Sequence, residues 1–342
     1  MASGNKVRVG VVGASGYTGA ELLRLVAGHP GLDLTLATSR EFAGRAVSEV
    51  YPNLRIDLAF AELDAGALED LDLVFLALPH GASMEPGARL VKAGVPVIDL
   101  SADFRFEDPV TYANWFGREH AAPELLPDWT YGLPELHRDE IAGAKAVANP
   151  GCYPTAALLA LAPLVKADLI DPSGIVISAA SGVSGAGRGL SAGVHFSHVD
   201  ANFGAYGYPR HKHTPEVEQE LSRLAGKAVT VTFVPHLVPM PRGLLATCVA
   251  PFHGGDAAGA ARAMYDGEPF VHVQDFPPQT KYVAGSNHCL LSYEIDERTG
   301  RVIAVAAIDN LGKGAAGQAV QNANLMLGLD ERAGLAAAGI YP

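Results

Sequence analysis

The first thirty residues constrain the fold most. In "KVRVGVVGASGYTGAELLRLV" a β-branched apolar run meets Gly13, Gly16 and Gly19 in G-x-x-G-x-x-G spacing, and a helical period follows until Gly28-His29-Pro30. A buried strand, a turn free of Cβ atoms and a helix, in that order, open a βαβ unit. Such a turn lets backbone approach a pyrophosphate that rests on the helix N-terminus. The spacing departs from the commoner G-x-G-x-x-G fingerprint. The choice of a dinucleotide site over a merely structural turn therefore rests on the strand before and the helix after. On this reading Gly13, Ser15, Gly16, Tyr17, Thr18 and Gly19 contact the cofactor.

The same alternation continues. "LDLTLAT" alternates as a second strand would, "LDLVFLALPHG" is a nearly continuous apolar run, and "VPVIDLSADFR" follows a short helical pattern, as in parallel strands buried on both faces. The expected fold class is α/β: a Rossmann-type, doubly wound parallel sheet over residues 1–150, with right-handed crossovers. The second strand ends in Thr38, Ser39 and Arg40, where an NAD site usually carries an acidic residue. A hydroxyl and a guanidinium suit a 2′-phosphate, which favours NADPH/NADP+. The alternative leaves Arg40 solvated and makes Glu41 the ribose ligand. Pro79, which closes the third strand, is a further expected cofactor contact.

Beyond Cys152 the texture changes. "GIVISAASGVSGAG", "AVTVTFVPHLVPM", "GLLATCVAPF" and "RVIAVAAIDN" are strand candidates between long polar loops. They predict an α+β catalytic domain over 151–312 with a mixed or antiparallel sheet. The helical stretch 313–342 is expected to rejoin the first domain, with the active site in the cleft between the two. A chain of 342 residues is long enough for that division.

Charge and cysteine usage exclude several classes. A net charge of −12 argues against nucleic acid or an anionic membrane as partner. The longest apolar stretch, Ala156 to Ile170, is broken by Pro163, Lys166 and Asp168, short of the ~18 residues a span needs. No signal-peptide pattern follows Met1, so a cytoplasmic protein is expected. Cys152, Cys248 and Cys289 cannot all pair, and none lies in a C-x-x-C motif. Neither a disulfide framework nor a zinc or other metal site is expected.

One cysteine stands apart. Cys152 in "NPGCYPTAALLALAPL" precedes a strong helix former with proline in its first turn. A thiol there meets the positive end of the helix dipole, which favours the thiolate. Cys248 and Cys289 sit in apolar strand-like settings and read as inert. The base would come from "RHKHTPEVEQEL", with Thr214 as N-cap, Pro215 as first helical residue and Glu216 and Glu218 in the first turn. His213 then lies at a helix entrance, where the field disfavours imidazolium. His211 is the alternative, and the two share a face only if the stretch is extended. An anionic substrate needs a local basic cluster in so acidic a chain. Arg105, Arg188, Arg210 and Lys212 are candidates, as are the donors of "SGVSGAGRG", unless each cation pairs with a surface carboxylate.

Taken together, "GASGYTGAELLRL", "LALPHG", "DLSADFR", "YGLPEL", "NPGCYPTA", "HKHTPEVEQ", "VPHLVPMPRG" and "AIDNLGKGAAGQAVQNANLM" resemble the N-acetyl-γ-glutamyl-phosphate reductases, relatives of aspartate-semialdehyde dehydrogenase. The resemblance runs from about Val7 to about Leu329. It implies an NADPH-dependent reduction of an acyl phosphate to an aldehyde through a thioester on Cys152, with His213 as acid and base. It also implies that Arg105 contacts the substrate phosphate, that Asn310 approaches the nicotinamide, and that the chain forms a homo-oligomer, a dimer or a tetramer. Ser184, Arg188 and Glu216 are further expected substrate contacts. The segment "SNHCLLSYEID" departs from the family by carrying His288 where a tyrosine is expected. Competing readings keep the chemistry on aspartyl phosphate or on a carrier-linked aminoadipyl or glutamyl phosphate. Two others drop the redox step, as a cysteine hydrolase or acyltransferase, or drop catalysis, as a dinucleotide sensor.

Overall fold

A computed structural model describes residues 6–341. The chain divides into two compact units. The first comprises the residues up to Pro150 with Ala315–Ala336, the second Gly151–Gly314 with the residues from Ala337.

The first unit is built on β1 (Val7–Val12), β2 (Leu32–Ala37), β3 (Leu73–Leu76), β4 (Val97–Asp99), β5 (Trp129–Tyr131) and β6 (Ala146–Ala148). They form one six-stranded sheet in the order β2-β1-β3-β4-β6-β5, and every pairing is parallel. β3, β4 and β6 are fully buried, as the continuous apolar runs require. Phe104 and Trp129 stack in this core with centroids 3.9 Å apart.

The helix Gly317–Met326 also belongs to this unit, and it is buried although it carries four amide side chains. The amide nitrogen of each finds an acceptor. Gln318 and Asn322 donate to the Gly132 carbonyl, Gln321 to Glu331, and Asn324 to the Glu331 and Ala333 carbonyls. The stretch 313–342, expected to act as a block, is divided. Its last residues group with the second unit, where Ile340 N–H donates to the Ala284 carbonyl.

The second unit holds β7 (Ile175–Gly182), β8 (Gly204–Ala205), β9 (Val231–Val238), β10 (Leu244–Pro251), β11 (Val271–Val273), β12 (Cys289–Asp296) and β13 (Arg301–Ile308). The sheet order is β11-β12-β13-β10-β7-β9-β8. β11–β12 and β7–β9 are parallel and the other pairs antiparallel, so the sheet is mixed.

The helix Cys152–Lys166 packs on this sheet and is buried from Tyr153 through Val165. An α-helix apolar on all sides is a core helix. It runs through Pro163 unbroken, although proline removes the amide that would bond the Leu159 carbonyl. The Tyr265 hydroxyl donates to that carbonyl at 2.7 Å, and the Tyr293 hydroxyl to the next, Ala160, at 3.0 Å. Among the described residues, no helix is long and apolar enough to cross a membrane.

Candidate active site

Cys152 is the first residue of its helix, one position nearer the dipole than a residue before it, and it is half-buried. Gly151 is the N-cap, and its carbonyl accepts from both the Thr155 amide and the Thr155 hydroxyl. Pro154 sits in the first turn, where no intrahelical donor is lost. Two glycines bring other groups up to the cysteine. A Cβ on Gly151 would stand 2.5 Å from His213 Nε2, so the imidazole lies directly against the Gly151 backbone. A Cβ on Gly314 would stand 2.8 Å from the Cys152 Cβ, so backbone of the "GKG" turn closes on the nucleophile. That turn is π-helical over Gly312–Ala316, a form often found at functional sites.

The helix after the histidines spans Thr214–Ala225 and begins one residue earlier than expected. Thr214 lies inside it and His213 takes the N-cap position. The two histidines also meet differently. The stretch is a turn, in which the His213 N–H donates to His211 Nδ1 at 3.1 Å and the Thr214 N–H donates to the His211 carbonyl. A turn, not an extended chain, sets the two rings 4.9 Å apart.

His211 is edge-on to Tyr153, Tyr206 and Phe233, at 5.7, 5.5 and 5.3 Å. Burial in this aromatic box, with the Lys212 charge adding to it, pushes His211 down to about 4. Burial also drives Tyr206 up to about 12 and Tyr153 well above the usual phenol range. The Tyr206 hydroxyl donates to the Tyr153 hydroxyl, which in turn donates to the His236 carbonyl. His211 thus stays neutral through the physiological range and braces the turn; His213 is the histidine against Gly151.

Glu216, expected to touch substrate, is fully buried, and its Oε1 accepts the Gly151 N–H at 2.8 Å. Asn310 lies at the end of β13. Its Oδ1 accepts from Gly243 N–H and its Nδ2 donates to the Ser184 hydroxyl at 2.9 Å, which joins two of the expected contacts. Arg188 is half-buried in the glycine-rich loop after β7. Asp309 lies next to Asn310 and is wholly buried. It accepts from Gly285, Leu311 and Gly312 N–H and pairs with Arg242 at 2.9 Å. Sequence reasoning missed Gly151, Gly314 and Asp309; the glycines inside "NPGC" and "GKG" were the available signal. Cys248 and Cys289 are buried in strands, and burial pushes Cys248 up to about 12.

In the first unit, Gly13 has φ +78°, and a Cβ there would stand 2.4 Å from the Ala77 carbonyl. A Cβ on Gly19 would stand 2.4 Å from the Gly13 carbonyl. Packing demands both glycines. Gly16 is different: its Cβ would meet Gly13 O at an ordinary 3.6 Å. The helix Tyr17–Ala27 has Gly16 as N-cap, no side-chain cap and no acidic residue in its first turn. Open space beside uncapped amides is a cradle suited to a pyrophosphate.

Ser15 and Ser39 hydroxyls bond to each other at 2.8 Å; Ser39 Oγ also accepts from Phe42 N–H, and Thr38 Oγ1 accepts from Gly13 N–H. Thr38 and Ser39 are buried and shape the turn, whereas Arg40 and Pro79 are exposed. Tyr17 is exposed and Thr18 half-buried at the helix start. Arg105 is buried, donating to the Asn149 carbonyl at 2.8 Å and the Leu100 carbonyl at 2.9 Å. Among the described residues no cluster of three or more metal-ligating side chains occurs.

Comparison with known proteins places this arrangement. Residues 8–144 match the family described as semialdehyde dehydrogenase, NAD binding domain, and residues 152–310 its dimerisation domain. The N-acetyl-γ-glutamyl-phosphate reductase of Desulforudis audaxviator is 52% identical, covering 98% of this chain and all of that protein. The chain belongs to the N-acetyl-γ-glutamyl-phosphate reductase family. The reductase of Pelotomaculum thermopropionicum is similar to it at 51% identity, over 98% of this chain and 99% of the relative.

Among solved structures, aspartate semialdehyde dehydrogenase II of Vibrio cholerae shares the reductase-family fold. Its TM-score is 0.72 at 18% identity, over 95% of this chain and 99% of that one. The Candida albicans aspartate semialdehyde dehydrogenase, solved with NADP, has a TM-score of 0.71 at 17% identity, over 94% and 99%.

Proposed function

We propose that this chain reduces N-acetyl-γ-glutamyl phosphate to N-acetyl-glutamate 5-semialdehyde with release of phosphate, using NADPH, as a step of arginine biosynthesis. The observation that carries the reading is Cys152 at the N-terminus of a buried helix with His213 Nε2 against the preceding residue, in a chain half identical to reductases named for this reaction.

In this reading the Cys152 thiol gives its proton to His213 and attacks the acyl carbonyl. A carbon–sulfur bond forms, the carbon–oxygen bond to phosphate breaks, and phosphate leaves. When bound, the nicotinamide supplies the hydride that converts the thioester carbonyl to a hemithioacetal. The carbon–sulfur bond then breaks to release the aldehyde, and Cys152 returns as a thiolate, which is both a good nucleophile and a good leaving group. His213 holds or returns the proton at each stage.

The uncapped turn at Gly16 would hold the pyrophosphate and exposed Arg40 the 2′-phosphate. Arg105 and Arg188 would supply charge for the substrate's phosphate, Ser184 would be a further substrate contact, and Asn310 would approach the nicotinamide. A homo-oligomer, dimer or tetramer, is supported by the match of 152–310 to a dimerisation domain. A cytoplasmic site of action fits the function of the relatives.

The test runs the reaction in reverse. N-acetyl-glutamate semialdehyde, phosphate and NADP+ should give a phosphate-dependent rise in NADPH absorbance, abolished in Cys152→Ser. Turnover of aspartate semialdehyde alone would overturn the substrate. Silence with both, in folded protein that binds NADPH, would overturn the reading.

A further inference from the structure

Two helices carry the chemistry, and both begin at it. Cys152 is the first residue of one, and His213 is the N-cap of the other. Something must hold these two N-termini in register, because the pair reacts only when sulfur and imidazole are correctly placed. We propose that Glu216 is the positioning residue that does this, acting through Gly151 rather than by touching substrate.

The geometry is specific. Glu216 lies in the first turn of its own helix, three residues after its His213 N-cap. Its side chain leaves that helix and accepts the N–H of Gly151, the N-cap of the cysteine helix, at 2.8 Å. The same Gly151 backbone bears the His213 ring, whose Nε2 lies 2.5 Å from where a Gly151 Cβ would be. One bond therefore closes a short loop: His213, along its helix to Glu216, across to Gly151, and back to His213 or on to Cys152. Glu216 has no exposed surface, so it does not present itself to a ligand as a surface carboxylate would. Sliding of either helix start along the other must break this bond and leave a buried amide without its acceptor.

Reach, not charge, is what the loop requires. Glutamine keeps an acceptor oxygen at the same distance from the backbone, whereas aspartate keeps the charge but is one methylene too short. The proposal rests on the reading that Cys152 is the acylated residue, and the experiment separates the two. Glu216→Gln, Glu216→Asp and Glu216→Ala are compared with the full-length wild type in two assays. The first is the reverse reaction, giving kcat and the semialdehyde KM. The second is alkylation of Cys152 by iodoacetamide across pH, which needs no substrate, with thermal melting as a check of folding.

The expected result is that Glu216→Gln stays within about threefold of wild type in both assays. Glu216→Asp should lose roughly 10- to 100-fold in kcat, with KM changed less than threefold and a displaced alkylation profile. If Glu216→Ala does not fold, the Gln and Asp pair still decides. An active Asp variant beside an inactive Gln variant would overturn the proposal in favour of charge acting directly. So would a rise in KM with unchanged alkylation, the signature of a substrate ligand. If the wild type turned over no semialdehyde, the alkylation order would still test the positioning role while the proposed reaction fell.

Discussion

Adding one methyl group at Gly151 tests the site most sharply. The residue has φ −70° and ψ 155°, which alanine adopts freely, so Gly151→Ala introduces no backbone strain. The new Cβ would stand 2.5 Å from His213 Nε2, 2.8 Å from Cε1 and 2.9 Å from Cδ2. Ordinary contact is about 3.5 Å, so the imidazole must retreat by about 1 Å. Its ring also packs against Tyr153 and His211, with centroids 5.9 and 4.9 Å away, so such a shift disturbs these contacts.

A misplacement of about 1 Å in a catalytic group can cost about 10²-fold, or roughly 2.7 kcal/mol of transition-state stabilisation. Stability should barely move. Replacing a glycine N-cap by alanine costs about 0.5–1 kcal/mol, and stiffening the unfolded chain offsets about 0.4–1 kcal/mol. In the NADP+-linked assay Gly151→Ala should lose roughly two orders of magnitude in kcat, with a melting shift below about 3 °C. Activity within threefold of wild type would refute the placement of His213 as the base. A loss of activity with a fall in melting temperature of 10 °C or more would show that the methyl damaged the fold instead.

The glycine loop makes a paired prediction: Gly16→Ala should melt near the wild type yet bind NADPH more weakly, because only a ligand competes for that Cβ volume. Gly13→Ala, at φ +78° and 2.4 Å from the Ala77 carbonyl, should destabilise the fold itself; equal effects on both properties in the two variants would refute the distinction. His211 gives a pH prediction. Its folded pKa, about 4, lies below the unfolded value near 6.5, so the unfolded chain binds more protons between them. Its contribution to stability is full above pH 6.5 and is lost as the pH falls toward 4, by at most on the order of 3 kcal/mol. Melting curves of His211→Phe should flatten over that window relative to wild type, and parallel curves would refute the assignment. Arg40→Glu should raise the KM for NADPH while leaving that for NADH within about threefold; equal changes would place the 2′-phosphate elsewhere.

The parallel sheet was legible because β1, β3 and β4 are apolar runs and β2 alternates, all set between helical periods and bounded by glycine or proline. β5 and β6 were not. Each is three residues long, and "AVA" in β6 lacks the β-branched run that marks a strand. Cys152 was legible from the local rule that a residue opening a helix meets the dipole. Glu216 was expected to touch substrate, and nothing local pointed to the bond its side chain makes to Gly151. Its partner, Gly151, is 65 positions away, and no local pattern encodes that pairing. The histidine pair failed for a related reason. Alternate residues share a face in an extended chain, and the bond from His213 N–H to His211 Nδ1 brings them together through a turn instead.

The two functional glycines that open helices show why motif and meaning separate. Gly16 and Gly151 are both N-caps in extended backbone, at φ −74° and −70°, neither supplying a side-chain cap to its helix. Sequence treats them alike: a glycine at the start of an apolar helix. They differ in what occupies the volume of the missing Cβ. At Gly16 the nearest neighbour lies an ordinary 3.6 Å away, so the chain itself does not fill that volume. At Gly151 His213 Nε2 already stands 2.5 Å from that point, so the space belongs to a group the chain itself supplies. On the proposed reading, the same local device serves an external anion in one unit and an internal base in the other. The two alanine substitutions should fail in different ways, one in cofactor affinity and the other in turnover.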